Sequence, residues 1–233
     1  MPHTHITASA TGLAPVPVAV LLPPPGRLGD GRTEPGELPD WYGVAPRDAA
    51  GLIARYSTQG DLVIELDAHP TITRAARHLG RRPTTTVPTD GDGSDPQARP
   101  GRRAPGAGLI LAALPRPGSD RRDLPGASAA MQTWRAMLRP GGYLLTALTP
   151  PSPDLATEHH PASYRATVIT AARTAGLTWQ QEFLVLTAPL PADEPRAMPD
   201  TATAAPAALV DGRHQLAHVK ILAFRHEMGD RDA

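Results

Sequence analysis

The chain has 233 residues, 23 basic and 23 acidic side chains, a formal net charge of +0 and a pI near 7.2. That length can bury a substantial core in one domain with tails. The balance of charge leaves no global basic field to draw the protein to nucleic acid. Cys 0 excludes disulfides, thiolate metal sites and a cysteine nucleophile. No apolar stretch reaches a transmembrane length, and Val16–Leu22 is broken by Pro17 and lacks a basic start, so the expectation is a cytoplasmic protein with no membrane partner.

Residues 1–40 are rich in Pro, Gly and Thr, with Pro23-Pro24-Pro25 in the middle, and read as an extended or mobile arm contributing one strand near Pro17–Leu22. His3 and His5 form a terminal HxH pair, which is read as solvated and not as a metal site. Trp41-Tyr42-Gly43-Val44 precedes a helix over Pro46–Ser57, with Ala49, Leu52, Ile53 and Tyr56 on one face. The aromatic pair is read first as an anchor for that helix, and second as a wall of a cofactor or base pocket.

Asp61–Leu66 is a short apolar run ending beside an acid, which suits a buried strand. Asp67-Ala68-His69-Pro70 is a tight connection in which Pro70 takes the first helical position and Asp67 or His69 can cap. Ile72, Ala75, Ala76 and Leu79 then repeat at helical spacing, and Gly80 closes the helix. Strand, turn and helix within this short span predict the opening unit of a Rossmann-like sheet.

Gly60–Arg82, GDLVIELDAHPTITRAARHLGRR, resembles the first motif of class I S-adenosylmethionine (SAM)-dependent methyltransferases. The resemblance is to the DNA amino-methylase and related RNA methylase branch, which reads G-D-L-V-L-D-P-F-x-G-x-G-T-T-x-x-A-A-x-x-L-G-R. Gly60-Asp61-Leu62-Val63, Glu65, Thr73, Ala75-Ala76 and Leu79-Gly80-Arg81 carry the frame. The two loop glycines are replaced by His69 and Thr71, and neither residue readily takes φ > 0 or permits close backbone approach. By this resemblance Glu65, Asp67, His69, Thr71 and, at the end of the second strand, Asp90 are the candidate cofactor-binding residues.

Further along, Pro83–Asp90 reads as a strand weakened by Pro88, and residues 91–106 as a flexible loop where the family would place a helix and a third strand. Ala107–Pro115 is a buried strand aligned with the family strand that ends in D-P-P-Y, N-P-P-Y or S-P-P-Y. Here the acceptor motif is Ala113-Leu114-Pro115-Arg116, which keeps one proline and lacks both the polar acceptor and the stacking aromatic. Gly126–Leu138 reads as a helix with Ala130, Trp134, Met137 and Leu138 inward, stopped by Arg139-Pro140-Gly141-Gly142 before a strand at Tyr143–Leu148. LRPGGYLLT resembles the family's L-x-P-G-G-x-L segment, a structural motif.

Ser163–Ala175 is a helix with Tyr164, Val168, Ala171, Ala172 and Ala175 inward. Leu177–Ala188 and Ala217–Arg225 form an antiparallel pair around a Pro/Ala-rich excursion at 189–211, which is expected to be flexible. His159-His160 and His218 lack metal-ligand spacing, so no metal is predicted.

The fold expectation is one α/β domain over residues 41–226 with a C-terminal tail at 227–233. It is a Rossmann-like SAM-methyltransferase sheet, mostly parallel, with an antiparallel C-terminal hairpin. The functional expectation is a methyltransferase-like protein with no bound cofactor, kept as an inactive binding or regulatory module, its partner class (nucleic acid or protein) left open. The alternative is an active SAM-dependent methyltransferase acting on nucleic acid, holding SAM through Glu65, Asp67 or Asp90 and presenting a backbone carbonyl near Leu114 to a substrate amine. A third reading puts a different ligand in the same crevice.

Overall fold

The computed structural model describes residues 16–22, 37–85, 106–116, 123–149, 161–186, 209–210, 213–214 and 218–227. Its elements are β1 (Val18–Leu21), α1 (Pro46–Tyr56), β2 (Leu62–Glu65), α2 (Pro70–His78), β3 (Arg82–Thr84), β4 (Ala107–Leu114), α3 (Leu124–Met137), β5 (Leu138–Leu148), α4 (Pro161–Thr174), β6 (Leu177–Leu186), β7 (Leu209–Val210), β8 (Arg213–His214) and β9 (His218–His226). Asp90 and the expected flexible loops at 91–106 and 189–211 lie largely or wholly outside the described residues, as does the position of a third family strand.

Seven strands form one sheet in the order β1-β6-β9-β5-β4-β2-β3, and β7 pairs with β8 separately. Pairings β1/β6, β2/β3, β2/β4 and β4/β5 are parallel, whereas β9 runs antiparallel to both β5 and β6. This is a Rossmann-like sheet with an antiparallel C-terminal hairpin, the layout implied by the resemblance. The strand expected near Pro17–Leu22 is β1, at the sheet edge beside β6.

The unbroken apolar runs explain the centre. All eight residues of β4 are buried, because helices cover both faces of a parallel sheet. On one face Val63, Leu109, Leu111, Leu145 and Ile221 pack under α1 and α2. On the other Ile64, Ile110, Leu144, Leu222 and Phe224 pack under α3 and α4. Alternation along each strand sends successive side chains to opposite layers. The buried stripe of α1 is Ala49, Leu52, Ile53 and Tyr56, as its spacing predicts. In α2, Gly80 adopts φ +71, with its N–H on Arg77 O and the Arg81 N–H on Ala76 O, closing the helix as a Schellman motif.

Two local readings need correction. Neither Asp67 nor His69 caps α2 through its side chain; Asp67 is drawn instead toward β4, as described below. Arg139-Pro140-Gly141-Gly142 ends α3 but lies within β5, which begins at Leu138. Ala107 pairs with Leu138 and Leu109 with Tyr143, so the extra residues bulge out of the ladder. Gly141 takes φ +76 there, and a Cβ on Gly142 would lie 2.9 Å from the carbonyl oxygens of Ala107 and Arg139.

Gly142→Ala is therefore expected to cost about 1–3 kcal/mol, since two backbone carbonyls must shift. Gly51→Ala on α1, where a Cβ would meet nothing within 4 Å, should be neutral or stabilise by about 0.5–1 kcal/mol. Urea denaturation of both variants checks this contrast; equal effects would contradict it.

Candidate functional site

In this strand order the chain passes from β2 outward to β3 and returns on the other side of β2 to β4. The topological switch point, where open α/β sheets bind ligands, thus lies between the carboxyl ends of β2 and β4. Glu65 ends β2, and its partner in register is Leu111 of β4.

Glu65 is 1% exposed. Its Oε2 accepts from the backbone N–H groups of Asp67 (3.1 Å) and His69 (2.6 Å). The bonds fold the loop back beneath the start of α2, where unpaired N–H groups favour a carboxylate. Burial raises the Glu65 pKa above its ordinary value, and the bonds from His69 and Asp67 oppose that push. The other oxygen, Oε1, has no bonding partner, and neither does the Trp41 Nε1–H, although the indole is close enough to lower the Glu65 pKa slightly. The two groups face each other without good bonding geometry.

Asp67 spans the switch point. Its Oδ1 takes a hydrogen-bonded ion pair from Arg116 Nη1, and its Oδ2 accepts from the Ala113 N–H at 3.3 Å. Arg116 Nη2 also reaches Leu66 O at 3.4 Å. The residue standing at the family's aromatic position therefore ties β4 to the β2 loop. Ala113 and Leu114 are buried within β4. The Leu114 carbonyl accepts from both the N–H (2.9 Å) and the hydroxyl (3.0 Å) of Thr149, so its lone pairs are already engaged.

A segment ahead of α1 lies over the same loop. Thr71, fully buried, donates its hydroxyl to Pro39 O. The His69 ring lies by the backbone of Asp40, Trp41 faces Glu65, and the Tyr42 hydroxyl lies close enough to Asp67 for its charge to act on it. Four consecutive residues, Pro39 to Tyr42, thus meet Thr71, His69, Glu65 and Asp67, the four described candidates for cofactor binding. Trp41 and Val44 exchange backbone hydrogen bonds at 2.9 Å, with φ of 50° at Tyr42 and 85° at Gly43. That is a type I′ turn carrying a tyrosine in the left-handed region.

The structure also relocates the strain. His69 has φ −71° and Thr71 lies in the first turn of α2, so neither occupies a left-handed position. Ala68, with φ 56°, does. What His69 and Thr71 bring to this loop is side-chain volume, not a strained backbone conformation.

The residues present do not fit SAM in the manner of the family. Glu65 is committed to its own loop, Asp67 to Arg116 and Ala113, and Thr71 to Pro39. Asp90, the fifth candidate, lies outside the described residues. Among the described residues no group of three or more His, Asp or Glu side chains could hold a metal ion, and no helix is long and apolar enough to cross a membrane. Trp41 packs with α1 in the core, as an anchor would. Sequence reading missed the pairing of Arg116 with Asp67, and the placement of Pro39 and Asp40 on the loop; the only local signal was the turn marked by Gly43.

No family model and no curated protein matches the chain. Among solved structures, it is similar to the N-methyltransferase NodS from Bradyrhizobium japonicum WM9 at 15% identity, over 78% of this chain and 96% of that one, with a TM-score of 0.38. It is similar to the [4+2]-cyclase SpnF at 13% identity, over 85% and 87% of the two chains, with a TM-score of 0.44. It is also similar to a methyltransferase from Pyrococcus furiosus at 10% identity, over 85% and 89%, with a TM-score of 0.38. At these values the fold rests on the strand order of the chain itself.

Asp67→Asn should lower stability by about 1–3 kcal/mol, because Arg116 and the Ala113 N–H lose a charged acceptor. Denaturant unfolding measures this, and an unchanged midpoint would refute the bridging role. Burial, and next the charge of Asp67, hold the Tyr42 phenol neutral and push its pKa up to about 12, whereas an unfolded tyrosine ionises near 10. This contact therefore stabilises fully below about pH 10 and its contribution is lost as pH rises through about 12. An alkaline phenolate titration should lose its late component in Tyr42→Phe; identical curves for the two proteins would contradict the assignment.

Proposed function

We propose that this protein is a methyltransferase-like α/β domain that acts without methyl transfer, as a binding or regulatory module. One observation carries the reading: the four described loop residues that would serve a cofactor each lie against the chain's own Pro39–Tyr42 segment, with Thr71 bonded to Pro39 and Asp67 to Arg116 and Ala113. A ligand entering there must break these contacts before making its own, which subtracts directly from its affinity. The acceptor position supports the same conclusion. Methyl transfer to an amine would need an acceptor beside the cofactor, and the Leu114 carbonyl is held by Thr149 while Ala113 offers no polar side chain.

An active nucleic-acid methyltransferase is the outcome that would displace this reading, and it requires Asp67 and Leu114 to be freed. The test is a calorimetric titration of the full chain with SAM. No saturable binding is expected at ligand concentrations below roughly 100 µM, where an ordinary micromolar site would be filled. Low-micromolar binding would overturn the proposal. His69→Gly/Thr71→Gly is expected to remain without methyl transfer, as Ala113 and Arg116 still occupy the acceptor motif; transfer of labelled methyl groups to DNA or RNA by that variant would count against it.

A further inference from the structure

The contacts between Pro39–Val44 and the β2–α2 loop hold the segment closed, yet they are an imperfect match. Three of the six buried polar side-chain atoms without a bonding partner among the described residues lie at this one contact: Trp41 Nε1, Glu65 Oε1 and His69 Nδ1. The two non-glycine residues with positive φ among the described residues, Tyr42 and Ala68, flank the same contact. Buried unsatisfied groups and left-handed non-glycine backbone both raise the energy of the closed arrangement. Opposing them is the burial of Trp41 and Val44 in the core. The backbone bonds of Trp41 and Val44 are made to each other and not to the sheet, so the turn can open, releasing those two amides, without breaking the sheet ladder.

We propose that Pro39–Val44 is a displaceable strap that opens as a unit when His69 is protonated, uncovering Glu65, Asp67 and Thr71 while the sheet stays folded. His69 is the N-cap residue of α2, at the positive end of the helix, and it sits under the strap with its ring centroid 6.2 Å from that of Tyr42. The charged and titratable groups facing the ring are Asp40 and Tyr42 from the strap and Asp67 from the β2 loop, while Glu65 holds the His69 backbone N–H. Asp40 and Asp67 attract an imidazolium, but burial outweighs them and lowers the His69 pKa below its ordinary value. A depressed histidine favours the closed strap above its unfolded pKa, and that contribution is lost as pH falls through the lower folded value. Opening relieves the burial of the cation, the left-handed Tyr42 and the three unpaired atoms together.

This inference shares with the proposed function the premise that the strap covers the crevice. Its test adds no cofactor, so the two can fail separately. Hydrogen exchange is followed on the full chain at two pH values, about 7.5 and about 5.5, which bracket an ordinary histidine, with intrinsic rates corrected. The peptide containing the Trp41 and Val44 amides should lose severalfold in protection at the lower pH, roughly tenfold being the most that one histidine can supply over this range, while β4 peptides keep theirs, as a sub-global opening requires. His69→Gln and His69→Asn should each abolish the pH response. The proposal is overturned if the strap and β4 lose protection in step, if strap protection is the same at both pH values, or if the response survives in both His69 variants.

Discussion

A buried carboxylate organises the carboxyl edge of this sheet. Glu65 is the last residue of β2, and it turns back to accept the N–H groups of Asp67 and His69. Those bonds set the direction of every other group in the loop. Asp67 is thrown across to β4, His69 and Thr71 are presented to the segment ahead of α1, and Pro70 is left to begin the helix. In a fold that leaves ligands outside the strand ends, such a loop normally offers its polar atoms outward. Here Glu65 Oε2, both Asp67 oxygens and the Thr71 hydroxyl are bonded from within the chain, and what the site can bind follows from that.

The periodic elements were legible because their determinants are local. The four inward residues of α1 and the alternating apolar residues of β2, β4 and β5 state their own burial. The mostly parallel sheet with its antiparallel C-terminal hairpin was legible through the resemblance. What could not be read depended on partners far along the chain. Asp67 looked like a cap until Arg116 and Ala113, nearly fifty residues on, claimed its oxygens. Arg139–Gly142 looked like a stop and a reversal, but pairing with β4 starts β5 at Leu138 and absorbs the glycines as a bulge. The left-handed residue of the loop lay at Ala68, since tight connections admit several routings and only packing selects one.

The same distinction separates fold from chemistry in this molecule. Motifs that shape the backbone, such as the Gly80 helix stop and the Pro-Gly-Gly segment, keep their structural roles. Positions that would touch a cofactor or an acceptor amine carry residues whose contacts are internal. An architecture tolerates such exchange because the core layers, built from β2, β4, β5 and the four helices, do not depend on what fills the crevice. The polar edge can therefore change its use while the framework stays the same.

The position of β1 has a bearing on how the molecule assembles. β1 precedes its sheet neighbour by most of the described residues: Val18 is paired with Glu182 and Leu21 with Val185, on β6. A ribosome delivers β1 long before it delivers β6. Until then Val18, Val20 and Leu22, which remain exposed even in the finished fold, travel with their backbone donors unclaimed. The β2–β4–β5 centre can form on shorter loops and sooner. β1 is thus made well before the strand it docks on, and its apolar face waits for β6 while the centre of the sheet is synthesised.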